Sequence, residues 1–253
     1  MFTMLLWVAG PVLELLVILR AIHGKFLREY KLFYFYIAWV LVCDGCRLAV
    51  FHYWPQAYSN IYWYSQLFSV LVGSAVVWEI YKLALANYPG AARMARSVLL
   101  FLFVITMTRI VVYAINEGRW LPGQTTLETE KEFRIVQFAL LAGLVLLLAH
   151  YAIPTGRNLK GIILGYGVFV AASLVQLTLR NSLGESFQSL WQFVQPATYL
   201  LVLAVWCVTL WRFEPSPNSA SECRVELDYQ YLVSTTRRRL REIRSHLARS
   251  VRP

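Results

Sequence analysis

An acid and a base stand three residues apart in the middle of an apolar run: Asp44 and Arg47, within Leu32 to Tyr53. That spacing puts both side chains on one face of a helix, close enough to pair. Three more ionisable residues lie deep inside other apolar runs, namely Glu14, Glu79 and Arg109. A charge left alone at the centre of a bilayer costs on the order of 3 kcal/mol, so each of these groups calls for a partner, water or a ligand. Arg109 has no acid within four residues on its own run, and its partner must come from elsewhere. Glu79 and Lys82 repeat the three-residue spacing, whereas Glu14 has no obvious partner.

Two bases near one clear acid suggest a site rather than a closed ion pair. Arg47 and Arg109, with Asp44, Tyr113, Gln176, Gln192 and Gln195 at similar depth, would line a cavity for a small anionic or zwitterionic molecule or a lipid, and His52 and Tyr62 fall nearby. The bland alternative is that the glutamines bond helix to helix and the arginines reach outward to the interface. The acids Glu14, Asp44 and Glu79 support a second functional class, a small-solute or proton-coupled transporter. A third, an intramembrane lipid-modifying enzyme with Asp44 or Glu79 as general base, has no nucleophile or metal constellation to accompany it.

Other chemistry finds little support. Cys43-Asp44-Gly45-Cys46 has C-x-x-C spacing but no second cysteine pair, so these residues are expected to pack, with Gly45 admitting a neighbouring helix. His23, His52, His150 and His246 are dispersed, without the spacing of a zinc or haem site. Neither H-E-x-x-H nor G-x-S-x-G occurs, and phosphate loops are absent. No cofactor or metal is expected.

The elements that must position these residues are membrane helices. Of 253 residues, 58% are hydrophobic, and the mean hydropathy of +0.51 is far above what a soluble domain requires. Seven runs are long enough to cross the roughly 30 Å hydrocarbon layer. They are predicted at about Phe2 to Ile22, Leu32 to Tyr53, Asn60 to Ala86, Arg96 to Ile115, Glu132 to Ala152, Gly161 to Leu179 and Leu190 to Trp211. The expected fold is an all-α integral membrane protein, a seven-transmembrane helix bundle over residues 1–211. Basic residues favour alternate connections: three in 23–31, three in 82–96 and two in 153–160, against none in 54–59, two in 117–131 and one in 180–189. By the positive-inside rule the N-terminus is outside and the C-terminus cytoplasmic. The first run lacks a basic leader and a small-residue cleavage site, and is expected to remain as a helix. Thr125-Thr126-Leu127-Glu128 has the form of a capping box, after a Pro122-Gly123 turn.

Residues 212–224 are a polar Pro/Ser linker, and 225–253 a basic tail. Nine of the 24 Lys and Arg fall in the last 42 residues, and most others flank apolar runs, which is a topological pattern and not a nucleic-acid footprint. Arg224 to Tyr231 alternates as a strand would; from about residue 233 the pattern becomes that of an amphipathic helix carrying Arg237, Arg238, Arg239, Arg241 and Arg244. Such a helix suits the surface of the lipid bilayer, or docking of a cytoplasmic signalling partner or a second copy. The seven-helix topology resembles that of rhodopsins and G-protein-coupled receptors, but the residues diverge. No Lys occurs in 186–211 for a retinal Schiff base, and Gln195-Pro196-Ala197-Thr198-Tyr199 resembles the receptors' N-P-x-x-Y at the wrong end of the helix. The functional expectation is a sensor or receptor-like module in a membrane, bacterial by its short loops, with Pro196 as a hinge.

Overall fold

In a computed structural model, residues 2–24, 26–116 and 122–214 are described, together with 227, 230, 231, 233–236, 238 and 239 of the tail. The side chains of 2–8, 110, 113, 114, 116, 122–125 and 180–192 lie outside that description. Among the described residues there is no strand. The helices are α1 (Phe2–His23), the short α2 (Phe26–Glu29), α3 (Lys31–Tyr53), α4 (Tyr58–Ala84), α5 (Pro89–Asn116), α6 (Pro122–His150) and α7 (Arg157–Thr209), with a 3-10 turn at Pro55–Ala57 before α4.

Five segments are long and apolar enough to cross a membrane: Lys31–Tyr53, Pro55–Ala84, Pro89–Arg109, Thr126–His150 and Arg157–Leu179. Their packing is the reverse of that of a soluble domain. Leu48, Phe51, Phe101, Leu146, Leu164 and Val208 are exposed, while Glu14, Glu130, Arg134, Gln137 and Asn158 are buried. An apolar exterior around a polar interior is the stable arrangement in hydrocarbon, where every polar group must be satisfied from within the protein. The chain is a membrane-embedded helical bundle.

Predicted helices six and seven form one helical stretch of 53 residues, α7, yet it is not straight. A straight helix would hold Asn158 and Thr209 roughly 75 Å apart, whereas Asn158 Nδ2 donates to Thr209 O at 2.8 Å. Since Gln176 Nε2 also donates to Gln195 Oε1 at 2.8 Å, the chain doubles back between those two glutamines, and two limbs run side by side. Phe193–Thr209, in the second limb, is a shorter apolar helix. The limbs meet at two glycines one turn apart. A Cβ on Gly161 would strike Thr209, and one on Gly165 would strike the indole of Trp206. This small-xxx-small spacing lets backbones approach where lipid supplies no hydrophobic drive. Gly165→Ala is therefore expected to lower stability by about 2 kcal/mol through overpacking, read as a fall in the thermal midpoint in detergent, while Gly167→Ala, where nothing lies within 4 Å, should change little.

Asn158 locks the open end of this hairpin. Its Nδ2 also donates to Arg212 O at 2.8 Å, and its Oδ1 accepts from Glu214 N at 2.7 Å. Around the hairpin, α1 packs on α7 and α3, α3 on α4, α4 on α6, and α6 back on α7, closing a ring; α5 lies outside it against α4 and α6. The core is aromatic, with Tyr30, Phe33, Tyr36, Tyr166 and Trp206 buried and Phe33 edge-on to Trp206 at 4.9 Å. α6 ends in a Schellman turn: Ala152, at φ 48°, allows Ile153 N to reach Leu148 O at 3.0 Å, and Pro154 follows.

Local expectations are corrected at three places. α6 starts at Pro122, so Thr125 lies within the helix and does not cap it; a proline in the first turn begins the helix instead. Gly45 faces open space and admits no neighbour, the glycines at real crossings being Gly73, Gly161 and Gly165. Leu227, Gln230 and Tyr231 are helical, not extended, because isolated alternation without a partner strand cannot hold an extended chain. Arg238 and Arg239 are helical and exposed; Arg237, Arg241 and Arg244 lie outside the described residues.

Candidate functional site

The expected α4 pair does not form. Lys82 is exposed, and Glu79 turns across to α3, where Oε1 accepts from Leu32 N at 3.0 Å and Oε2 from Phe33 N at 2.9 Å. Tyr30, at the N-cap, offers no side-chain bond of its own, so a carboxylate from another helix caps α3. Glu79 is thus committed to holding the helix that carries Asp44 and Arg47.

Those two residues do come together, Arg47 Nη1 lying 3.6 Å from Asp44 Oδ1. Arg47 also extends into the bundle. Its Nε and Nη2 donate to Ser65 Oγ at 3.1 and 2.8 Å, its Nη2 to Gln66 Oε1 at 3.3 Å, and its guanidinium lies 4.8 Å over the Tyr62 ring. From there Gln66 Nε2 donates to both oxygens of Glu130 at 3.0 Å. Glu130 pairs with Arg134 at 3.4 Å, Arg134 Nη1 donates to Gln137 Oε1 at 3.1 Å, and Gln137 Nε2 ends the chain on Ser74 Oγ at 2.9 Å. Side-chain exposure falls steadily along this path, from 39% at Asp44 through 19% at Arg47 and 9% at Glu130 to 3% at Arg134.

Two fully buried atoms at the inner end lack a hydrogen bond. They are Arg134 Nε and the hydroxyl of Tyr166. The Tyr166 hydroxyl lies beside the Arg134 guanidinium, close enough to interact but without a hydrogen bond of good geometry, and it is admitted by Gly73, whose missing Cβ would otherwise occupy that place. The Arg134 guanidinium lies 4.8 Å over the ring of Phe169, which leans on Tyr199 at 5.8 Å. Tyr199 in turn donates to Glu14 Oε1 at 2.6 Å, leaving Glu14 Oε2 buried and unpartnered. A continuous polar and aromatic path thus crosses from α3 through α4, α6 and α7 to α1. Glu14 has found the partner that its own helix could not supply.

Arg109 does not join this path. It pairs with Glu132 at 2.9 Å, and its side chain is 71% exposed on the outside of the bundle. Gln176 and Gln195 bond to each other and tie the limbs of α7. The side chains of Tyr113 and Gln192 lie outside the described residues. The helix runs through Pro196, three residues before Tyr199. Cys43 is buried and Cys46 exposed, and both are free thiols. Among the described residues no group of three or more His, Cys, Asp or Glu could hold a metal ion.

Glu130, Arg134 and Gln137 are absent from the candidates that the sequence suggests, because a fifth run starting at Glu132 puts them at its water-exposed end. A signal is present nonetheless. Thr126, Glu130, Arg134 and Gln137 recur at spacings of four, four and three, and continue into Leu141 and Leu144, so one face of α6 is buried throughout and begins polar. The chain matches no protein-family model, no curated protein and no solved structure.

Proposed function

We propose that the chain is a seven-pass, receptor-like membrane module that binds a small polar molecule beside Arg134 and Tyr166 and signals by rearranging the helices that meet there. The two further passes are α1 and the second limb of α7, and the distribution of basic residues puts the site in the outward half, where α3 ends and α4 and α6 begin. The observation that carries this reading is the pair of buried, unpartnered atoms, Arg134 Nε and Tyr166 Oη, at the inner end of a hydrogen-bonded path open at Asp44. Buried polar groups are almost always bonded, and an orphaned pair on facing helices is a place for an occupant. Arg47 and Arg134 each have a nearby carboxylate, which favours a zwitterion or a neutral hydrogen-bonding molecule over a bare anion. An occupant bridging α6 and α7 would bias the stack of Phe169 on Tyr199 and hence the Tyr199–Glu14 bond next to Pro196, a route toward the tail that follows the second limb of α7.

Tyr166→Phe tests this directly, because the hydroxyl makes no hydrogen bond of good geometry and has only the Arg134 guanidinium beside it. Without an occupant, the variant should be as stable as wild type or up to about 1 kcal/mol more so, one buried unsatisfied group having been removed. With one, native mass spectrometry of the purified protein should find a co-purifying small molecule in wild type that Tyr166→Phe retains poorly. Wild type free of any adduct, or an adduct held equally by both, would overturn the reading.

A further inference from the structure

The face of α1 turned away from the ring carries a groove of about 600 Å³. Val12, Leu15, Leu16 and Leu19 line it, all substantially exposed, and Arg20, His23 and Trp211 close one end. We infer that this groove is a phospholipid site, with one acyl chain along the four aliphatic side chains and the phosphate on Arg20.

Three observations converge on that occupant. The first is length. From Val12 to His23 the helix rises about 16 Å at 1.5 Å per residue, which is close to half of the roughly 30 Å hydrocarbon thickness. With α1 as a pass, as in the proposed function, the groove matches one leaflet in length and its Arg20 end falls at headgroup level. The second is the arginine. Arg20 Nε donates to Trp211 O at 2.8 Å, and its guanidinium is held 6.0 and 5.9 Å over the rings of Phe26 and Trp211. With Nε tied and two aromatic rings beside it, the fork is oriented in advance. Among the described residues no carboxylate pairs with it and no acceptor is bonded to Nη1 or Nη2. Two parallel N–H donors at fixed geometry match a phosphate diester.

The third is the company at that end. His23 Nδ1 lies 2.8 Å from Leu19 O. A carbonyl can only accept, so Nδ1 carries the proton and donates, and Nε2 remains for another partner. Trp211 is an interfacial aromatic, and Arg28 and Arg212 are exposed nearby in sequence with no described ion pair. The local excess of positive charge selects an anionic headgroup, and the apolar wall leaves no polar contact for a soluble molecule.

The experiment uses full-length protein, stripped of lipid in detergent and titrated with phosphatidylglycerol or phosphatidylcholine, with bound lipid read by native mass spectrometry and thermal midpoint followed in parallel. Wild type should retain phosphatidylglycerol in preference to phosphatidylcholine and be stabilised by it. Arg20→Gln should weaken phosphatidylglycerol retention about tenfold, the effect of losing one charged hydrogen-bonding group. Leu19→Trp, which fills the groove but leaves Arg20 in place, should lower retention of both lipids, and it keeps the test decisive should Arg20→Gln fail to fold. Equal retention of the two lipids by wild type and both variants would make the groove a place for annular lipid only and overturn the site. Arg20-dependent binding of glycerol 3-phosphate without acyl chains would overturn it in favour of a free phosphate site.

Discussion

Glu79→Ala should cost the fold about 3 kcal/mol, because it removes two charge-assisted hydrogen bonds at once and leaves two backbone donors, one buried and one partly buried, without acceptors. Both bonds are made between helices, from α4 to Leu32 N and Phe33 N of α3, and Glu79 is itself buried. The first turn of α3 has no cap of its own to fall back on. Glu79→Gln should lose less, since one amide oxygen can still accept while the NH₂ group cannot replace the second bond. Lys82→Ala, at an exposed position on the same helix, should be close to neutral. Thermal unfolding of the three variants in one detergent checks the order. If Glu79→Ala and Lys82→Ala unfold together, the carboxylate does not support α3, and Glu79 returns as a free intramembrane acid.

Arg134→Met should be as damaging, at about 3 kcal/mol or more, because it leaves the Glu130 carboxylate buried without its counter-charge. The same side chain holds Gln137 and stacks on Phe169, so its loss also unties α6 from α7. The informative comparison is with the pair removed together. Glu130→Gln/Arg134→Met leaves no uncompensated charge, and the amide introduced in place of the Glu130 carboxylate still offers an oxygen to Gln66. The double variant should therefore recover well over half of the stability lost in Arg134→Met, a coupling that a double-mutant cycle measures. Additive losses would mean that Glu130 and Arg134 do not act as a pair. Recovery of stability without recovery of the co-purifying molecule would separate the ion pair's structural role from its role at the proposed site.

What was legible in the sequence followed from one-dimensional rules. Hydrophobic runs of membrane length, the basic residues between them and the charges within them are properties of segments, and α3, α4, α5 and α6 appear within several residues of where the pattern puts them, apart from the early starts of α5 and α6. The Asp44–Arg47 pair is local too, set by helix geometry alone. Arg109 could be told to need a partner from another helix, water or a ligand, but Glu132 could not be named.

The rest is decided by which helix lies beside which, and no periodicity carries that. Glu79 has a lysine three residues away and instead caps a helix 46 residues earlier, because buried backbone donors at a helix start outweigh an ion pair that water at the interface can replace. Glu14 meets Tyr199 across 185 residues of chain. Arg47 and Arg109 are both arginines deep in apolar runs at similar depth, yet one points into the bundle and one out, since the ring of α1, α3, α4, α6 and α7 leaves α5 at its edge. Gly45 and Gly73 are likewise indistinguishable until Tyr166 arrives against only one of them. Segment composition suffices to make this chain a helical membrane protein with charges that must be compensated. The pairings come from packing, because compensation in a bilayer is made between helices, and the choice of neighbour is a property of the assembled bundle and not of any segment in it.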